Sequence, residues 1–135
     1  MRVLALDHGA ARCGVAVSDP TGILATPLES IPRPDSKAGM AAIAELVRSR
    51  GVEAVVVGLP LTLAGGESEQ TEAARRFAAR LREALAPVPV TLHDERLTTA
   101  QARRAGGTAS EDSRAAAHLL EAWLAARGDA PGPGV

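Results

Sequence analysis

Three acidic residues have the types and the settings to do chemistry together. Asp7 ends an apolar run, Glu95 lies just past another apolar run, and Asp112 stands in the first turn of a predicted helix. If the three side chains converge, their repulsion raises their pKa values unless a divalent cation lies among them. Carboxylate oxygens without cysteine suit Mg²⁺ or Mn²⁺. Such a cluster can serve two-metal phosphoryl chemistry, in which one ion activates water and the other stabilises the leaving oxygen.

Each carboxylate also has an ordinary structural explanation. Asp7 could accept hydrogen bonds from backbone amides in the turn that follows it. Glu95 could pair with Arg96 at the surface, and Asp112 could simply be an acidic residue favoured at a helix N-terminus. A zinc site is a weaker alternative, in which His93, on the same strand face as Glu95, joins the carboxylates.

An α/β domain must position these residues. The predicted strands cover 2–7, 13–18, 23–31, 55–57 and 88–93, and the predicted helices cover 36–50, 68–86, 98–105 and a last segment from its cap at Ser110 to its stop at Gly128. This order predicts an α/β sandwich whose mixed five-stranded sheet joins an antiparallel meander to three parallel strands, the first, fourth and fifth. Sites in such sheets form beyond the carboxyl ends of parallel strands. Those ends carry Asp7, Gly58 and Glu95.

Helical spacing also predicts which side chains point inward. In the second helix Ala73, Phe77, Leu81 and Leu85 are expected to face the core. In the last helix we expect His118 to face the core or the helix boundary. The short 55–57 run is apolar and β-branched, which predicts a strand buried on both faces.

Length and composition exclude several classes of protein. A chain of 135 residues suits one domain, which we expect over 1–127, with a flexible Pro/Gly tail over 128–135. Cys13 is the single cysteine, which excludes an intramolecular disulfide and a cysteine-based zinc site. No signal peptide or membrane span is predicted, so we expect a cytoplasmic protein that does not contact membranes.

Charge and aromatic content limit how nucleic acid could be bound. The formal net charge is −1, but residues 75–104 contain seven arginines against three acidic residues. The helical part of this segment, Arg75 to Arg82, could contact nucleic acid or could be an ordinary solvated face. An aromatic fraction of 1% argues against base stacking and for recognition of backbone and shape.

Four spaced blocks resemble the YqgF/RuvX family. They are Asp7-x-Gly9-x-x-Arg12-x-Gly14-Val15-Ala16-Val17-Ser18-Asp19, Val57-Gly58-Leu59-Pro60, Asp94-Glu95-Arg96-Leu97-Thr98-Thr99 and Asp112-Ser113. They occur in the family's order, and the resemblance covers roughly residues 1–127. It implies a ribonuclease H-like fold, related to the Holliday-junction resolvase RuvC.

The resemblance also implies a divalent-metal nuclease. Asp7, Glu95 and Asp112 would be its catalytic, metal-binding carboxylates, with Mg²⁺ or Mn²⁺ as the cofactor and two ions expected. The family carries two functional labels, maturation of the 5′ end of pre-16S ribosomal RNA and resolution of Holliday junctions. We favour the first. A symmetric four-way DNA junction would favour a homodimer, whereas trimming an RNA end would not require one.

Four further residues beside the carboxylates are candidates for phosphate contact. Arg12 and Arg96 each carry a planar guanidinium that can bind a phosphate through two hydrogen bonds, or could instead neutralise the neighbouring acids. Thr98 and Thr99 are expected to cap the short helix, and their hydroxyls could also reach the substrate backbone.

Three glycines lie close to the candidate carboxylates. Gly9 and Gly14 follow Asp7 along the chain, and Gly58 ends the fourth predicted strand. Because glycine lacks a Cβ, we interpret all three as providing backbone clearance near the site.

Two rival functions are open on the sequence alone. An Asp-x-Gly meander also begins nucleotide-binding proteins of the actin-like ATPase type, but these need two such domains and the chain has room for one. A non-catalytic RNA-binding module that assists ribosome assembly could retain the same fold, although the presence of all three carboxylates argues against it.

Overall fold

The computed structural model describes residues 1–62, 64–95 and 111–129. Within these ranges the chain forms five strands and three helices. The strands are β1 (Val3–Asp7), β2 (Arg12–Ser18), β3 (Ala25–Pro32), β4 (Ala54–Leu59) and β5 (Val90–Asp94), and the helices are α1 (Lys37–Ser49), α2 (Glu69–Leu85) and α3 (Glu111–Asp129). None of the helices in the described ranges is long and apolar enough to cross a membrane.

The five strands form one mixed sheet in the order β3-β2-β1-β4-β5. β1 and β2 are antiparallel, as are β2 and β3, whereas β4 lies parallel to both β1 and β5. The predicted meander and the three predicted parallel strands are therefore confirmed. β1 occupies the centre, so its last residue, Asp7, has the ends of β2 and β4 on either side.

The two faces of the sheet are covered by different helices, and alternation along β1 separates them. One core joins Leu4 and Leu6 to residues of α1 and α2, including Ile43 and Phe77. The second core includes the residues of β1, β2, β4 and α3 that share the other face: Val3, Ala5, Ala16, Ala54, Val56, Ala116, Leu119 and Leu120. Val55, Val56 and Val57 are all buried, which confirms a strand covered on both faces.

Local signals explain where α1 and α2 begin and end. Ser36 caps α1 by accepting a hydrogen bond from the Gly39 amide at 3.0 Å. Gly51 follows with a positive φ of 63°, a conformation that glycine adopts without strain and that ends helices. At α2, Ser68 and Thr71 form a reciprocal capping box, and the Thr71 hydroxyl also donates to the Pro60 carbonyl.

Two details differ from the sequence-based expectations, and a third, the position of His118, agrees with them. In α2 the buried residue is Ala74, while Ala73 is only half-buried. His118 lies at the boundary of the helix's buried face, the second of the two positions expected for it, with its Nδ1 at 3.2 Å from Glu121 Oε1 one turn along α3. α3 continues through Gly128 to Asp129, because a single glycine near a helix end weakens the helix without necessarily stopping it. The helix expected over 98–105, the cap at Ser110 and residues 130–135 of the expected tail lie outside the described residues.

Candidate active site

The carboxyl ends of β1, β4 and β5 meet at one edge of the sheet. Gly58 of β4 pairs with His93 of β5, and the pairing continues one residue further because the Glu95 amide donates to the Leu59 carbonyl at 3.3 Å. This hydrogen bond holds Glu95 beside the end of β4. Asp7 falls in the same alternation as Val3 and Ala5, which places it on the α3 face of the sheet.

The carboxyl groups of Asp7 and Glu95 are hydrogen-bonded to each other. Glu95 is buried, with 9% of its surface exposed. It reaches Asp7 across β4 through space left by Gly58, since a Cβ at that position would lie 2.0 Å from Glu95 Oε2. The absence of a side chain at Gly58 is thus a condition for the contact between the two acids.

Burial and mutual repulsion alter the ionisation of this pair. Burial, the Asp7 charge and the hydrogen bond to Asp7 together raise the pKa of Glu95 to about 8, with Asp94 adding a smaller contribution. Burial also raises the pKa of Asp7; the nearby Asp112 charge acts in the same direction, while the hydrogen bond from Glu95 and the His8 charge oppose it. At neutral pH Glu95 therefore keeps its proton and donates it to Asp7.

Asp112 approaches from α3, on the same face. Its backbone packs directly on β2, where a Cβ added to Gly14 would lie 1.9 Å from the Asp112 carbonyl oxygen. Because Gly14 pairs with Asp7 across β1 and β2, this contact brings Asp112 next to Asp7. Its carboxylate lies 3.9 Å from Arg12 Nε, with 60% of the Arg12 side chain exposed. The arginine is thus available to a ligand as well as to Asp112.

The acidic residues of this edge supply some, but not all, of what a metal site needs. In the described ranges no group of three or more His, Cys, Asp or Glu side chains is close enough to hold an ion together, which applies equally to the zinc alternative with His93. Asp7 and Glu95 nevertheless supply two contacting carboxylates, and Asp112 is near enough to influence Asp7 electrostatically. A donor set made of carboxylate oxygens fits Mg²⁺ or Mn²⁺, and a cation would compensate the repulsion between the two groups once both are ionised.

The opposite face holds a cluster that the sequence analysis missed. His8 follows Asp7 and points to the other side of the sheet, where its Nε2 lies 2.7 Å from Asp35 Oδ2 and its ring lies 4.6 Å from the Phe77 ring. Arg80 donates to the Asp35 carbonyl at 2.8 Å. Alternation with Leu4 and Leu6 does place His8 on this face, but its partner Asp35 lies on a distant loop that no sequence pattern pairs with it. The contacts fix the end of β1 from behind the carboxylates.

The remaining candidate residues have varied positions. Gly9 is close-packed, since a Cβ there would lie 2.7 Å from the Arg12 carbonyl oxygen. Arg96, Thr98 and Thr99 lie outside the described residues.

The arginines of α2 make local contacts. Arg75 pairs with Glu67 at 3.1 Å, and Arg82 donates to the Val90 carbonyl at 3.0 Å. Together with the Arg80 contact to Asp35, these interactions tie α2 to its neighbours.

Comparison with known proteins agrees with this geometry. A Rhodococcus erythropolis protein named as a candidate pre-16S rRNA nuclease is 43% identical over 147 residues, covering 98% of this chain and 82% of that protein. A Streptomyces avermitilis protein of the same name is 44% identical, covering 99% of this chain and 94% of its own length. In fold, the chain is similar to Thermus thermophilus RuvC solved in complex with a Holliday junction substrate, with a TM-score of 0.61 and 20% identity over 96% of each chain.

These similarities show the fold class of the protein and the family to which it belongs. RuvC has a ribonuclease H-like fold, so the mixed sheet with helices on both faces is of that class. Residues 1–126 match the family described as RuvX, Holliday junction resolvase. With that match extending over nearly the whole chain, and with curated relatives above 40% identity, the protein belongs to the RuvX family.

Proposed function

We propose that this protein is a nuclease that uses divalent metal ions to hydrolyse phosphodiester bonds, acting on the 5′ end of pre-16S rRNA in ribosome biogenesis. The observation that carries the proposal is the contact between the carboxyl groups of half-buried Asp7 and buried Glu95, with Asp112 beside them. A purely structural pair of acids would be costly here, because buried carboxyl groups in contact repel one another when ionised. A cation-binding role accounts for the retention of both.

In this proposal Asp7, Glu95 and Asp112 hold the metal, and each has a defined task. To hold a cation Glu95 would have to lose its proton, and Asp7 and Glu95 would then both offer carboxylate oxygens to the metal. Asp112 would complete the set from α3, which packs on the same face of the sheet as Asp7. The bound ions supply an activated water and stabilise the charge on the leaving oxygen.

Arginine and hydroxyl groups would hold the substrate backbone. Arg12 is exposed beside Asp112, so its guanidinium can bind a phosphate oxygen next to the metal ligands. We assign the same role to Arg96 and, through their hydroxyls, to Thr98 and Thr99, all of which follow Glu95 in the sequence. These guanidinium and hydroxyl groups would together bind and orient a substrate phosphate.

The names of the relatives favour RNA, and the family description favours branched DNA. Curated relatives are named as candidate pre-16S rRNA nucleases, whereas the family is described as a Holliday junction resolvase. Resolution of four-way DNA junctions is therefore the second candidate function. For this role we expect a homodimer, since two-fold symmetry would present paired sites to a symmetric junction. We place either activity in the cytoplasm.

One experiment compares both substrates. A single preparation is incubated with precursor 16S rRNA and with four-way DNA junctions, in Mg²⁺, in Mn²⁺ and in EDTA. We expect metal-dependent cleavage of the RNA, loss of it in Asp7→Asn, and no change in Glu45→Gln, which alters an exposed acid on α1.

The other outcomes are equally informative. If the protein cleaves the four-way DNA junction in preference to the RNA, its function is junction resolution rather than rRNA processing. Cleavage that persists in Asp7→Asn, or in EDTA, would contradict the metal mechanism. Tight RNA binding without cleavage in any metal would identify a non-catalytic assembly module.

A further inference from the structure

A buried serine follows Asp112 and anchors the first turn of α3. Ser113 is completely buried, and its hydroxyl accepts a hydrogen bond from the Val15 amide of β2 at 3.2 Å. Val15 lies next to an irregularity in the sheet, where the pairing of β2 with β3 shifts register between Cys13 and Val15. A side chain of the helix thus bonds to the strand backbone at the point where the ladder is disturbed.

This hydrogen bond adjoins the tightest backbone contact of the site. One residue before Val15, Gly14 accommodates the Asp112 carbonyl oxygen, and a Cβ on Gly14 would also lie 2.9 Å from the Ser113 amide nitrogen. Gly14 is the cross-strand neighbour of Asp7, and residues paired in this way have Cα atoms about 4.5–5.5 Å apart. The helix turn that carries Asp112 is therefore clamped to β2 opposite Asp7.

The rest of α3 is docked by different interactions. Its buried apolar residues begin at Ala116 and continue with Leu119 and Leu120, one turn or more beyond Asp112. These contacts attach the helix to the sheet but do not determine how its first turn is set. A helix end held only by distant contacts frays readily, since the first amides of a helix have no partners within it.

We propose that Ser113 is the positioning residue for Asp112. By accepting the Val15 N–H it holds the first turn of α3 in place, so that the Asp112 carboxylate lies beside those of Asp7 and Glu95. This inference rests on the proposed metal-binding role of the three acids. Ser113 touches neither substrate nor metal and acts through its neighbour. Removing a group that hydrogen-bonds a metal ligand directly typically changes metal affinity by about 10–100-fold; Ser113 holds the backbone next to the ligand, so we expect an effect at the lower end of that range.

The chain contains a matched control at a distance from the site. Ser18 is also buried, and its hydroxyl likewise accepts a hydrogen bond from a strand amide, that of Val3, at 2.8 Å. Ser18→Ala and Ser113→Ala therefore remove the same kind of interaction, and only the second lies next to a candidate ligand. Ser113→Cys keeps the side-chain size but offers a weaker acceptor.

The test measures Mn²⁺ binding apart from catalysis. For the full-length wild type and the three variants, the rise in thermal unfolding temperature is followed against Mn²⁺ concentration, and the Mn²⁺ requirement for cleavage is measured alongside. We expect the half-saturating Mn²⁺ concentration to rise at least 10-fold in Ser113→Ala, less in Ser113→Cys, and less than twofold in Ser18→Ala. Amide exchange should show lost protection at Val15 in Ser113→Ala while the rest of β2 stays protected.

Each outcome decides between the two proposals. If wild-type protein shows no Mn²⁺-dependent stabilisation, the metal-binding function fails and the inference fails with it. If the wild type binds Mn²⁺ but Ser113→Ala binds it equally well, Ser113 has a merely structural role and the function stands. If the half-saturating Mn²⁺ concentration rises as much in Ser18→Ala as in Ser113→Ala, the inference is also overturned, because the effect would then reflect a general loss of stability. Should Ser113→Ala not fold, the same comparison is made with Ser113→Cys.

Discussion

Replacing Gly58 with alanine should separate the two central carboxyl groups while leaving the sheet folded. The new Cβ would lie 2.0 Å from Glu95 Oε2 and 2.9 Å from Glu95 Cδ, with Leu119 Cδ2 at 3.3 Å. To reach an ordinary contact distance of 3.4 Å, the carboxylate oxygen must move by about 1.4 Å. The obstacle is the end of a side chain rather than backbone, so the glutamate can yield without displacing β4.

The size of this movement sets the expected effects. A misplacement of about 1 Å at a reacting centre costs about 10²-fold in rate, so we expect Gly58→Ala to cleave at least about 100-fold more slowly than wild type. Crowding a packed interior costs about 1–3 kcal/mol of unfolding free energy. A protein destabilised by this amount remains mostly folded, so the loss of cleavage activity in Gly58→Ala should be larger than the fraction of unfolded protein could explain.

Gly51→Ala is the matched control for this variant. Gly51 has a φ of 63° with open space around the position of a Cβ, so alanine there strains the backbone by about 1–2 kcal/mol without touching the site. Both variants are assayed for urea unfolding and for cleavage rate at saturating Mn²⁺. A folded Gly58→Ala protein that cleaves within threefold of wild type would refute the assignment of Glu95 as a ligand whose position matters.

Three further predictions concern stability. In EDTA the unfolding free energy should fall as the pH rises from about 4.5 to about 8, because the folded-state pKa of Glu95 is raised to about 8 from its usual 4.5 and folding favours the protonated form. At pH 7 the loss of unfolding free energy should be on the order of 3 kcal/mol. Urea titrations at several pH values should show this loss in wild type and not in Glu95→Gln; the same dependence of unfolding free energy on pH in both proteins would contradict it. Gly14→Ala should destabilise the fold more than Gly58→Ala, by about 3 kcal/mol or more, because its Cβ meets the Asp112 backbone at 1.9 Å and α3 must shift; equal urea midpoints would argue against this. Phe77→Ala removes a completely buried ring that packs on His8 and should cost about 3–5 kcal/mol in the same assay, with a loss below 1 kcal/mol contradicting its place in the core.

The sheet was predictable because its signals are local and repeated. Turn residues and alternation defined the meander, and the β-branched run over 55–57 indicated a strand with both faces covered, as the burial of Val55, Val56 and Val57 confirms. The meeting of Asp7, Gly58 and Glu95 at one edge then followed from strand direction alone. The choice of Ala73 over Ala74 was wrong because adjacent alanines are equally small and apolar, so helical periodicity cannot distinguish them.

Contacts between distant segments were beyond the sequence analysis. The pairing of His8 with Asp35 joins a strand end to the loop before α1, and the bond from Val15 to Ser113 spans 98 residues. Such contacts depend on how the elements pack, and the residue types are common in unrelated roles.

The two glycines beside β1 explain how the site is built. β1 is flanked by β2 and β4, and each flanking strand has a glycine on the α3 face: Gly14 opposite Asp7, and Gly58 beside Glu95. A glycine within a strand is destabilising by roughly 0.5–1 kcal/mol relative to alanine. At Gly14 the space admits the backbone of Asp112, and at Gly58 it admits the carboxyl group of Glu95. The acids from α3 and β5 can therefore approach Asp7 from both sides only because both neighbouring strands lack a side chain there, so the placement of the glycines is as specific to the proposed chemistry as the acids themselves.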